Sequence, residues 1–563
     1  MYRPIENQLI MKFILFFASL FVTQLLSAQQ WGDYTLYSVQ NSNAAALLDT
    51  NGTTYHSWTF ATNKKTGYSS YMLEGGNIIR TISNQGNSLN GGGMTGAVQI
   101  SDWNGNVVWD YVYSSSTYCL HHDICPLPNG NVLMISYDVY TAAQMTAAGS
   151  SVNHNMWLEK IIEVQPTGLN TGDIVWEWKV FDHLCQTVNP TGANYVTSTL
   201  EHPELWDINF QNSAQTSDWM HMNGIDYNPE LDQITFSSHN LDEIYVIDHS
   251  TTTAEAATHA GGNSGKGGDI LYRWGNPSAY GGLGTTILNV VHDAHFIPAG
   301  CPNAGHLVGF NNNGVSNQVS CIDVIDTPDN GFGFDLTPGS TFLPASYTYR
   351  QNCNGHTNNM GNSEQFPNGN MMICIAQQGL IYETDASGTV LWSKTINGTI
   401  PQAHRYTACF IAGTTPAAPT VTANGSELSA SAGGGYQWYL NGAPIAGANA
   451  QTYTALVSGD YQVAIVEAGA CNSDLSDVVN VVMTTLEEQF EKSMVLYPNP
   501  CQDQVTITGQ KVKSIVVLDV LGNCISTQTG GNTVDMKNMT AGVYFIQWVD
   551  MQGAVGVERV IKK

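Results

Sequence analysis

The sequence predicts an all-β protein: a six-bladed β-propeller, then an immunoglobulin-like β-sandwich, then a small C-terminal β-sandwich. Three observations support this fold class. Almost no stretch between residues 30 and 412 has helical periodicity. Two kinds of strand-turn-strand unit recur over the same range. The composition then changes sharply at a linker rich in Pro, Thr and Ala.

The first repeated unit is an apolar strand, a turn with Asp or Pro followed by Gly, and a second strand ending in tryptophan. Examples are "LLDTNGTTYHSW", "QISDWNGNVVWDY" and "IYETDASGTVLWS". The second unit is a hairpin on a Pro-Asn-Gly turn, as in "HHDICPLPNGNVLMI", and Asn-Gly between alternating strands strongly predicts a hairpin. Two hairpins form a four-stranded blade, and the repeats predict about six blades around one axis. We expect the tryptophans to pack between neighbouring blades.

The predicted boundaries divide the chain into four parts. These are a signal peptide at 1–28, the propeller at 29–412, the immunoglobulin-like domain at 418–484 and the C-terminal domain at 490–563.

The segment "MKFILFFASLFVTQLLSAQQ" has a lysine, an apolar run and Ala28 before Gln29. This pattern is typical of a cleaved export signal, and the run is too short for a membrane-spanning helix. After the linker, Trp438, an Asn-Gly turn and a Gly-Asp-Tyr strand favour an immunoglobulin-like sandwich. That segment has no cluster of histidines or carboxylates, so we expect an accessory role for it.

The chain is strongly acidic, with 19 Lys and Arg against 46 Asp and Glu and a net charge of −27. This charge argues against nucleic acid and against anionic membrane surfaces as partners. An anionic substrate would therefore need a local cluster of donors. Eleven cysteines in an exported protein permit disulfides, and the odd number leaves at least one unpaired. The sequence has no CxxC spacing, so we do not expect a structural zinc site.

Histidine-aspartate pairs stand at the same point of two repeats, in "HHDICPLPNG" and "VHDAHFIPAG". Aligning these segments places His122 over His292 and Asp123 over Asp293. Because blade strands start at the axis, we expect the two imidazoles to approach each other there. The aspartates are expected to orient neighbours or cap turns, and His295 is expected to be structural. A third segment, "DWMHMNGIDYNPELDQITFSSHN", adds three polar candidates: His221, Asn223 and His239.

The C-terminal segment has Tyr497-Pro498-Asn499-Pro500, a Leu-Gly turn at 521 and 522, Ala541-Gly542-Val543-Tyr544 and a basic end. It resembles the C-terminal sorting domains of proteins exported by the type IX secretion system of Bacteroidetes. The resemblance implies a secreted or cell-surface protein that has the type IX machinery as a partner. It also implies that this tail is a delivery address outside the active machinery.

Four motifs of the propeller, "HHDICPLPNGN", "DWMHMNGIDYNPELDQITFSSH", "GGDILYRWGNP" and "VHDAHFIP", resemble in order those of the bacterial arylsulfate sulfotransferases. The resemblance implies a six-bladed propeller with a funnel along its axis. It also implies transfer of a sulfuryl group from a phenolic sulfate ester to a phenolic acceptor through a sulfated histidine, without a nucleotide donor, a cofactor or a metal. By this resemblance His292 is the nucleophile, and the groups around the sulfuryl oxygens are His122 (with His121 as the alternative), His221 and Asn223.

One position departs from that family. Its members commonly have Ser-Ser-Arg where this chain has Ser237-Ser238-His239. Arginine offers a permanent two-pronged contact to an anion, whereas histidine is charged only when protonated. Arg405 or Arg350 could supply the missing charge.

Two other functions fit the same residues. The histidines and aspartates could hold zinc or another divalent ion in a metal-dependent hydrolase or lyase. Alternatively, the propeller could bind glycans or phenolics without turnover, which the histidine at position 239 favours.

Overall fold

The computed structural model describes residues 30–563 apart from 84–86, 211–216, 316–318, 446, 467–470, 483–494, 509–510, 520–523 and 552–554. The predicted signal peptide and the Leu-Gly turn at 521 and 522 lie outside the described residues. Strands make up 48% of the described residues and helices 6%, which confirms the all-β prediction. Residues up to Ala455 together with Gly459–Val481 form one compact unit, and Leu456–Ser458 with Val482–Lys563 form a second.

Six four-stranded antiparallel sheets follow one another between Tyr34 and Tyr406 in the described part of the chain. From the inner to the outer strand, the first sheet has Ala403–Tyr406, Tyr34–Ser38, Ala44–Leu48 and Thr54–Thr59; the second Thr66–Met72, Ile78–Ile82, Ala97–Ser101 and Val107–Val112; the third Tyr118–Pro126, Val132–Tyr140, Met156–Gly168 and Thr171–Lys179. The fourth has Met222–Asn228, Gln233–Ser238, Glu243–Asp248 and Ile270–Trp274; the fifth Val291–Phe296, Leu307–Val315, Val319–Ile325 and Tyr349–Asn352; the sixth Asn362–Gln365, Met371–Ile375, Leu380–Thr384 and Val390–Thr395.

The inner strands contact one another in order, and the sixth sheet contacts the first, so the sheets close a ring. The first sheet joins the two ends of this region, because Tyr34–Ser38 pairs with Ala403–Tyr406. Radial sheets closed in this way form a propeller, which removes the exposed edge between the first and last blades. The blade number stays a prediction, and the six sheets agree with it.

Buried tryptophans connect neighbouring sheets, as the repeats predict. Trp58 and Trp109 lie on the outer strands of the first and second sheets, and each is 2% exposed. The indole of Trp58 donates to the carbonyl of Asp102 at 3.1 Å, and that of Trp109 donates to the carbonyl of Thr171 at 2.9 Å. Each tryptophan therefore packs against, and hydrogen-bonds to, the turn of the next sheet.

The pairing of the inner strands is irregular where the candidate histidines lie. The strands of the third, fourth and fifth sheets lose their register around His122, beside His221 and just after His292. His122 and His221 have φ of 50° and 54°, in a region that such residues seldom adopt. Bulges of this kind redirect a side chain out of the normal alternation of a strand, and here they lie at the inner ends of the sheets.

After the propeller, two further sheets surround the fully buried Trp438. One has Val421–Asn424, Glu427–Ala430 and Thr452–Thr454; the other has Ala443–Pro444, Tyr436–Leu440, Gly459–Ile465 and Val479–Val481. A disulfide joins Cys409, in the helix Ala408–Ala412, to Cys471 of this region. The immunoglobulin-like assignment and the limits 418–484 stay predictions.

The second unit also consists of two sheets around its own core. One has Val495–Tyr497, Gln504–Thr508 and Thr533–Asp535; the other has Cys524–Thr529, Val512–Leu518, Gly542–Asp550 and Val555–Lys562.

The propeller's short helices are Ala142–Ala147, Thr253–Ala256, Val180–His183, Thr199–Glu201, Pro277–Tyr280 and Ala376–Gln378. Across the described ranges, no helix has the length and apolar character needed to cross a membrane.

Candidate active site

A cavity of about 180 Å³ lies where the inner ends of the six sheets meet. Each sheet, or a loop adjoining it, contributes at least one lining residue, so the cavity is on the axis of the ring. The lining residues are Gln40, Tyr68, Gly92, Gly93, His122, His221, His239, His292, Asn359 and Met360.

The four cavity histidines form a continuous series of rings. The ring centroids of His122 and His221 are 4.6 Å apart, those of His221 and His239 are 5.0 Å apart, and those of His239 and His292 are 5.7 Å apart. These residues come from the inner ends of the third, fourth and fifth sheets. Imidazoles that are far apart in the sequence therefore line one small space.

The orientation of His292 is set by Asn312. The amide nitrogen of Asn312 donates to the carbonyls of Thr357 and Met360 at 3.0 and 2.8 Å, so its oxygen faces His292 Nδ1 at 2.8 Å. An amide oxygen only accepts, and Nδ1 must therefore carry the proton. Neutral His292 then has its lone pair on Nε2, the ring nitrogen left for a ligand in the cavity.

His221 and His239 are also held through Nδ1. The carboxylate of Asp218 lies 2.6 Å from His221 Nδ1, and the side-chain oxygen of Asn240 lies 2.8 Å from His239 Nδ1. The Asn240 amide donates to the backbone carbonyl of Asp218 at 2.9 Å, which fixes its orientation. Both rings therefore leave Nε2 for a ligand.

His121 lies behind His122 and connects it to a buried carboxylate. Nδ1 of His121 is 2.9 Å from Nδ1 of His122, and Nε2 of His121 is 2.8 Å from Glu159. The other oxygen of Glu159 accepts the backbone N–H of Met222 at 2.8 Å. His121 also stacks on the ring of Tyr137 at 3.7 Å. The adjacent histidines thus have separate positions: His122 lines the cavity, and His121 lies outside the cavity and contacts His122.

The surroundings separate the protonation behaviour of the four rings. Burial and the neighbouring histidines lower the pKa of His122 and of His292 well below its usual value, and the same causes lower the pKa of His239. Burial opposes the charged form of His221 as well, but the carboxylates of Asp218 and Glu159 outweigh it and raise the pKa of His221. The surroundings therefore favour the cationic form at His221 and the neutral form at the other three rings.

Two glycines cover the histidine rings. A Cβ atom on Gly92 would lie 2.4 Å from Cε1 of His221, and one on Gly93 would lie 2.3 Å from Nε2 of His122. Gly93 has φ of 61°, and its carbonyl accepts the backbone N–H of His122 at 2.7 Å. Any side chain here would collide with the ring atoms that face a ligand.

Asn223, which the resemblance places around the sulfuryl oxygens, is not among the residues that line the cavity. Its side chain is fully buried and connects two sheets, donating to the carbonyl of Val291 at 2.8 Å and accepting from Ser237 at 2.6 Å. The register change beside His221 sends the neighbouring side chains to different sides of the strand, so proximity in sequence did not place Asn223 in the cavity.

Arg405 and Arg350, the arginines considered as sources of positive charge, each pair with a carboxylate. A guanidinium nitrogen of Arg405 lies 3.1 Å from Glu383, and Arg350 is paired with Asp323. Neither residue lines the cavity. The candidate cation is therefore His221, and the arginines belong to the sheets around it.

The remaining histidine-aspartate residues support the inner strands. His295 contacts the carbonyl of Asp293 at 2.9 Å, away from the cavity. Asp123 accepts hydrogen bonds from Tyr71 at 2.8 Å and from Gln402 at 2.9 Å. These bonds connect the third sheet to the second sheet and to the residue before Ala403–Tyr406, the inner strand of the first sheet. Burial raises the pKa of Asp123 to about 6.

Sequence reasoning missed the residues that hold the histidines. Asp218 had a usable signal, because it stands three positions before His221 in "SDWMHMNG". Glu159 had a weaker one, since it is a lone carboxylate in the apolar strand "MWLEKII". Asn312 lies in a run of three asparagines after "LVGF", where nothing distinguishes one asparagine from the next.

A closed ring of radial sheets with a histidine-lined anion-sized cavity on its axis defines the class: a β-propeller with a candidate catalytic centre in its channel. The chain matches the family model "Arylsulfotransferase (ASST)" over residues 21–258 and the family model "Secretion system C-terminal sorting domain" over residues 495–563. The first match covers less than half of the chain. The C-terminal segment is a type IX sorting domain that marks the protein for export to the cell surface.

The first match includes His121, His122, His221 and His239 and ends before His292. No curated protein matches the chain. Among solved structures, it is similar to a protein of unknown function from Bacteroides caccae, with 12% identity, 66% of this chain and 98% of that chain covered, and a TM-score of 0.38.

The β-propeller domain of Cps50 (Swd1) from Myceliophteria thermophila is 9% identical, with 66% and 88% of the two chains covered and a TM-score of 0.31. Virginiamycin B lyase from Staphylococcus aureus is 10% identical, with 66% and 86% covered and a TM-score of 0.31. These likenesses say nothing about the reaction.

Proposed function

We propose that this exported arylsulfotransferase-family protein moves a sulfuryl group from a phenolic sulfate ester to a phenolic acceptor, with His292 as the nucleophile. The observation that carries the proposal is the Asn312 contact at 2.8 Å, which holds the proton of neutral His292 on Nδ1 and leaves the lone pair on Nε2. The lowered pKa of His292 keeps this ring neutral at physiological pH. A neutral imidazole is a competent nucleophile, whereas a protonated one is not.

In the first half-reaction, Nε2 of His292 attacks the sulfur atom of the ester. The N–S bond forms as the S–O bond to the aryl group breaks, and the leaving phenolate takes a proton from the cationic His221. In the second half-reaction, the acceptor phenol returns its proton to His221 while its oxygen attacks sulfur and breaks the N–S bond. His221 acts as acid and then as base, as reversibility of the two halves requires, and the 2.6 Å contact with Asp218 supports its charge.

The two contacts in the series Glu159–His121–His122 suit a second task, the binding of the sulfuryl oxygens. When His121 is neutral, its N–H faces Glu159, and His122 donates through Nδ1, so Nε2 of His122 presents a lone pair. When His121 takes up a proton, it donates from both nitrogens, to Glu159 and to His122. His122 then carries its proton on Nε2 and can donate to an anion. His122 stays neutral in both states, which agrees with its lowered pKa.

These roles divide the cavity by charge. His221 supplies the positive charge, His122 a switchable donor and His292 the nucleophile. Sulfuryl transfer, like phosphoryl transfer, spreads negative charge over the transferred oxygens, so placed donors are expected to provide much of the rate. The ring of Tyr68, 5.1 Å from that of His122, offers an aromatic wall beside the site.

The test mixes the purified full chain with a chromogenic aryl sulfate and a phenol. We expect colour release that depends on the acceptor and falls by at least about 1000-fold in His292→Ala, as for the loss of other catalytic nucleophiles. Mass spectrometry after brief exposure to donor should find one SO₃ unit on the peptide that contains residue 292. His202→Ala, at a partly exposed histidine outside the cavity, is the matched control and should keep full activity.

Other results would favour the alternatives. No release by the wild type would favour a binding propeller. Release that requires a divalent ion, and that continues in His292→Ala, would favour metal-dependent hydrolysis.

A further inference from the structure

A second group of histidines lies outside the cavity, where the outer strands of the third and fourth sheets meet. His183 ends the short helix Val180–His183, and Asp269 immediately precedes the strand Ile270–Trp274. His259 lies in the loop between the helix Thr253–Ala256 and that strand. Nδ1 of His183 is 2.8 Å, and Nδ1 of His259 is 2.7 Å, from the same oxygen of Asp269. The three potential ligand atoms lie within 4.8 Å of one another.

The backbone fixes the orientation of the His183 ring. Nε2 of His183 lies 2.8 Å from the carbonyl oxygen of Ala256, which can only accept, so Nε2 carries a proton. Nδ1 is then the ring nitrogen that faces Asp269, and the His183 side chain is fully buried. A metal ion at this point would have one ligand atom from each of the three side chains.

The surroundings resemble those of metal-bound histidines in proteins. Such a ligand commonly donates its second N–H to a carbonyl, which fixes the ring and exposes the other lone pair. The close fit at Ala256 requires glycine next to it, because a Cβ on Gly268 would lie 2.1 Å from the Ala256 oxygen and 2.6 Å from His183 Nε2. Trp178 donates to the carbonyl of Gly268 at 2.8 Å and holds this loop in place.

We propose that His183, His259 and Asp269 bind one divalent transition-metal ion of the zinc type. Two imidazoles and one carboxylate are a donor set that zinc accepts, with a fourth position left for water. Neighbouring ligand atoms of tetrahedral zinc are about 3.3 Å apart, so His259 must move slightly outward. Its side chain is 62% exposed, which allows that movement and gives the ion a path from solvent.

The consequence of binding would be local order. The ion would join the loop before the fourth sheet's outer strand to the end of the third sheet. None of its ligands lines the axial cavity, so this site is independent of the proposed transfer reaction.

The experiment uses the full chain purified without a polyhistidine tag, stripped with a chelator, dialysed against Zn²⁺ and assayed for bound metal. The axial histidines could also bind zinc, so three variants separate the two places: His259→Ala, Asp269→Asn and His292→Ala. We expect the first two to lose one zinc per chain, or to bind it at least about tenfold more weakly. We expect His292→Ala to keep that zinc.

His259→Ala is the decisive variant, because its exposed side chain can be removed without opening the core. Zn²⁺ should raise the thermal midpoint of the wild type and not that of His259→Ala. His202→Ala, which removes a partly exposed histidine paired with a carboxylate, should behave like the wild type. The proposal is wrong if the wild type binds no zinc, if His259→Ala binds as much as the wild type, or if only His292→Ala loses it.

Discussion

The axial cavity and the buried ion pairs around it use basic side chains in opposite ways. In the fourth sheet, Arg273 is fully buried against Glu243 with two charged hydrogen bonds. In the first sheet, Arg405 faces Glu383. Each arginine is neutralised by a carboxylate of the propeller. In the cavity, four imidazoles are oriented through Nδ1, and no described residue hydrogen-bonds to their Nε2 atoms.

The difference indicates how an acidic protein can present a site to an anion. A permanent charge at the axis would need a permanent counter-charge beside it. At His221, by contrast, Asp218 and Glu159 raise the pKa and favour the charged form, whereas burial lowers the pKa of the other three cavity histidines and favours their neutral form. The cavity thus shifts the pKa values of neighbouring imidazoles in opposite directions, the separation that acid-base chemistry requires.

The largest effect is expected where an arginine is structural. Replacing Arg273 in Arg273→Met leaves Glu243 buried without its cation, so the free energy of unfolding should fall by about 3–5 kcal/mol. Urea denaturation measures this change. Lys179→Met breaks the half-exposed pair with Glu177 and should cost no more than about 1 kcal/mol.

Transfer activity per folded molecule should stay unchanged in both variants. A large loss of kcat in properly folded Arg273→Met would mean that this arginine serves the site and would undo the distinction between the two regions.

The next largest effect is expected at His221. His221→Ala removes the cation of the cavity, and kcat should fall by about 100- to 1000-fold, the usual loss for one transition-state donor. Because His221 acts as the charged acid and its pKa is raised, the wild-type rate should fall as the pH rises above that pKa. This alkaline fall should be missing from the residual activity of His221→Ala. Kinetics with the chromogenic sulfate over a range of pH measure both effects.

A milder variant sharpens the same point. Asp218→Asn keeps the shape of the site but removes the carboxylate that raises the pKa of His221. The alkaline fall should therefore move to lower pH, and an unchanged profile would assign the charge to another group.

The sequence predicted the propeller and four cavity histidines better than it predicted their partners. The repeats locate strands and turns, and the histidines come at the inner end of those strands, so His122, His221, His239 and His292 could be identified as neighbours. Asn223 could not be judged in the same way, because a bulge beside His221 decides which side chain reaches the axis. A one-residue change of register exchanges the two faces of a strand.

The partners are harder to predict because they come from other strands. Glu159 lies 38 positions from His121, and Asn312 lies 20 positions from His292. Their importance depends on hydrogen-bond direction, which only the folded arrangement defines. The histidine at position 239 in place of arginine was visible in the sequence. The contact of Asp218 with His221, which raises the pKa of His221, required the geometry.

The smallest expected effect tests the connection from Glu159 to His122. Glutamine at position 159 can still accept the backbone N–H of Met222 through its oxygen, and it then directs its NH₂ group at Nε2 of His121. His121 must accept there and donate from Nδ1, which fixes the proton of His122 on Nε2 without any proton uptake. Glu159→Gln should therefore bind sulfate with an affinity within about tenfold of the wild type while taking up about one proton fewer.

Titration calorimetry in two buffers of different ionisation enthalpy measures the number of protons taken up. Gln144→Glu, in the exposed helix cap, is the control for an acid-amide exchange elsewhere. Equal proton uptake by the wild type and Glu159→Gln would show that His121 does not change its protonation, and His122 would then have to face the anion with its lone pair, leaving His221 to hold the sulfuryl oxygens.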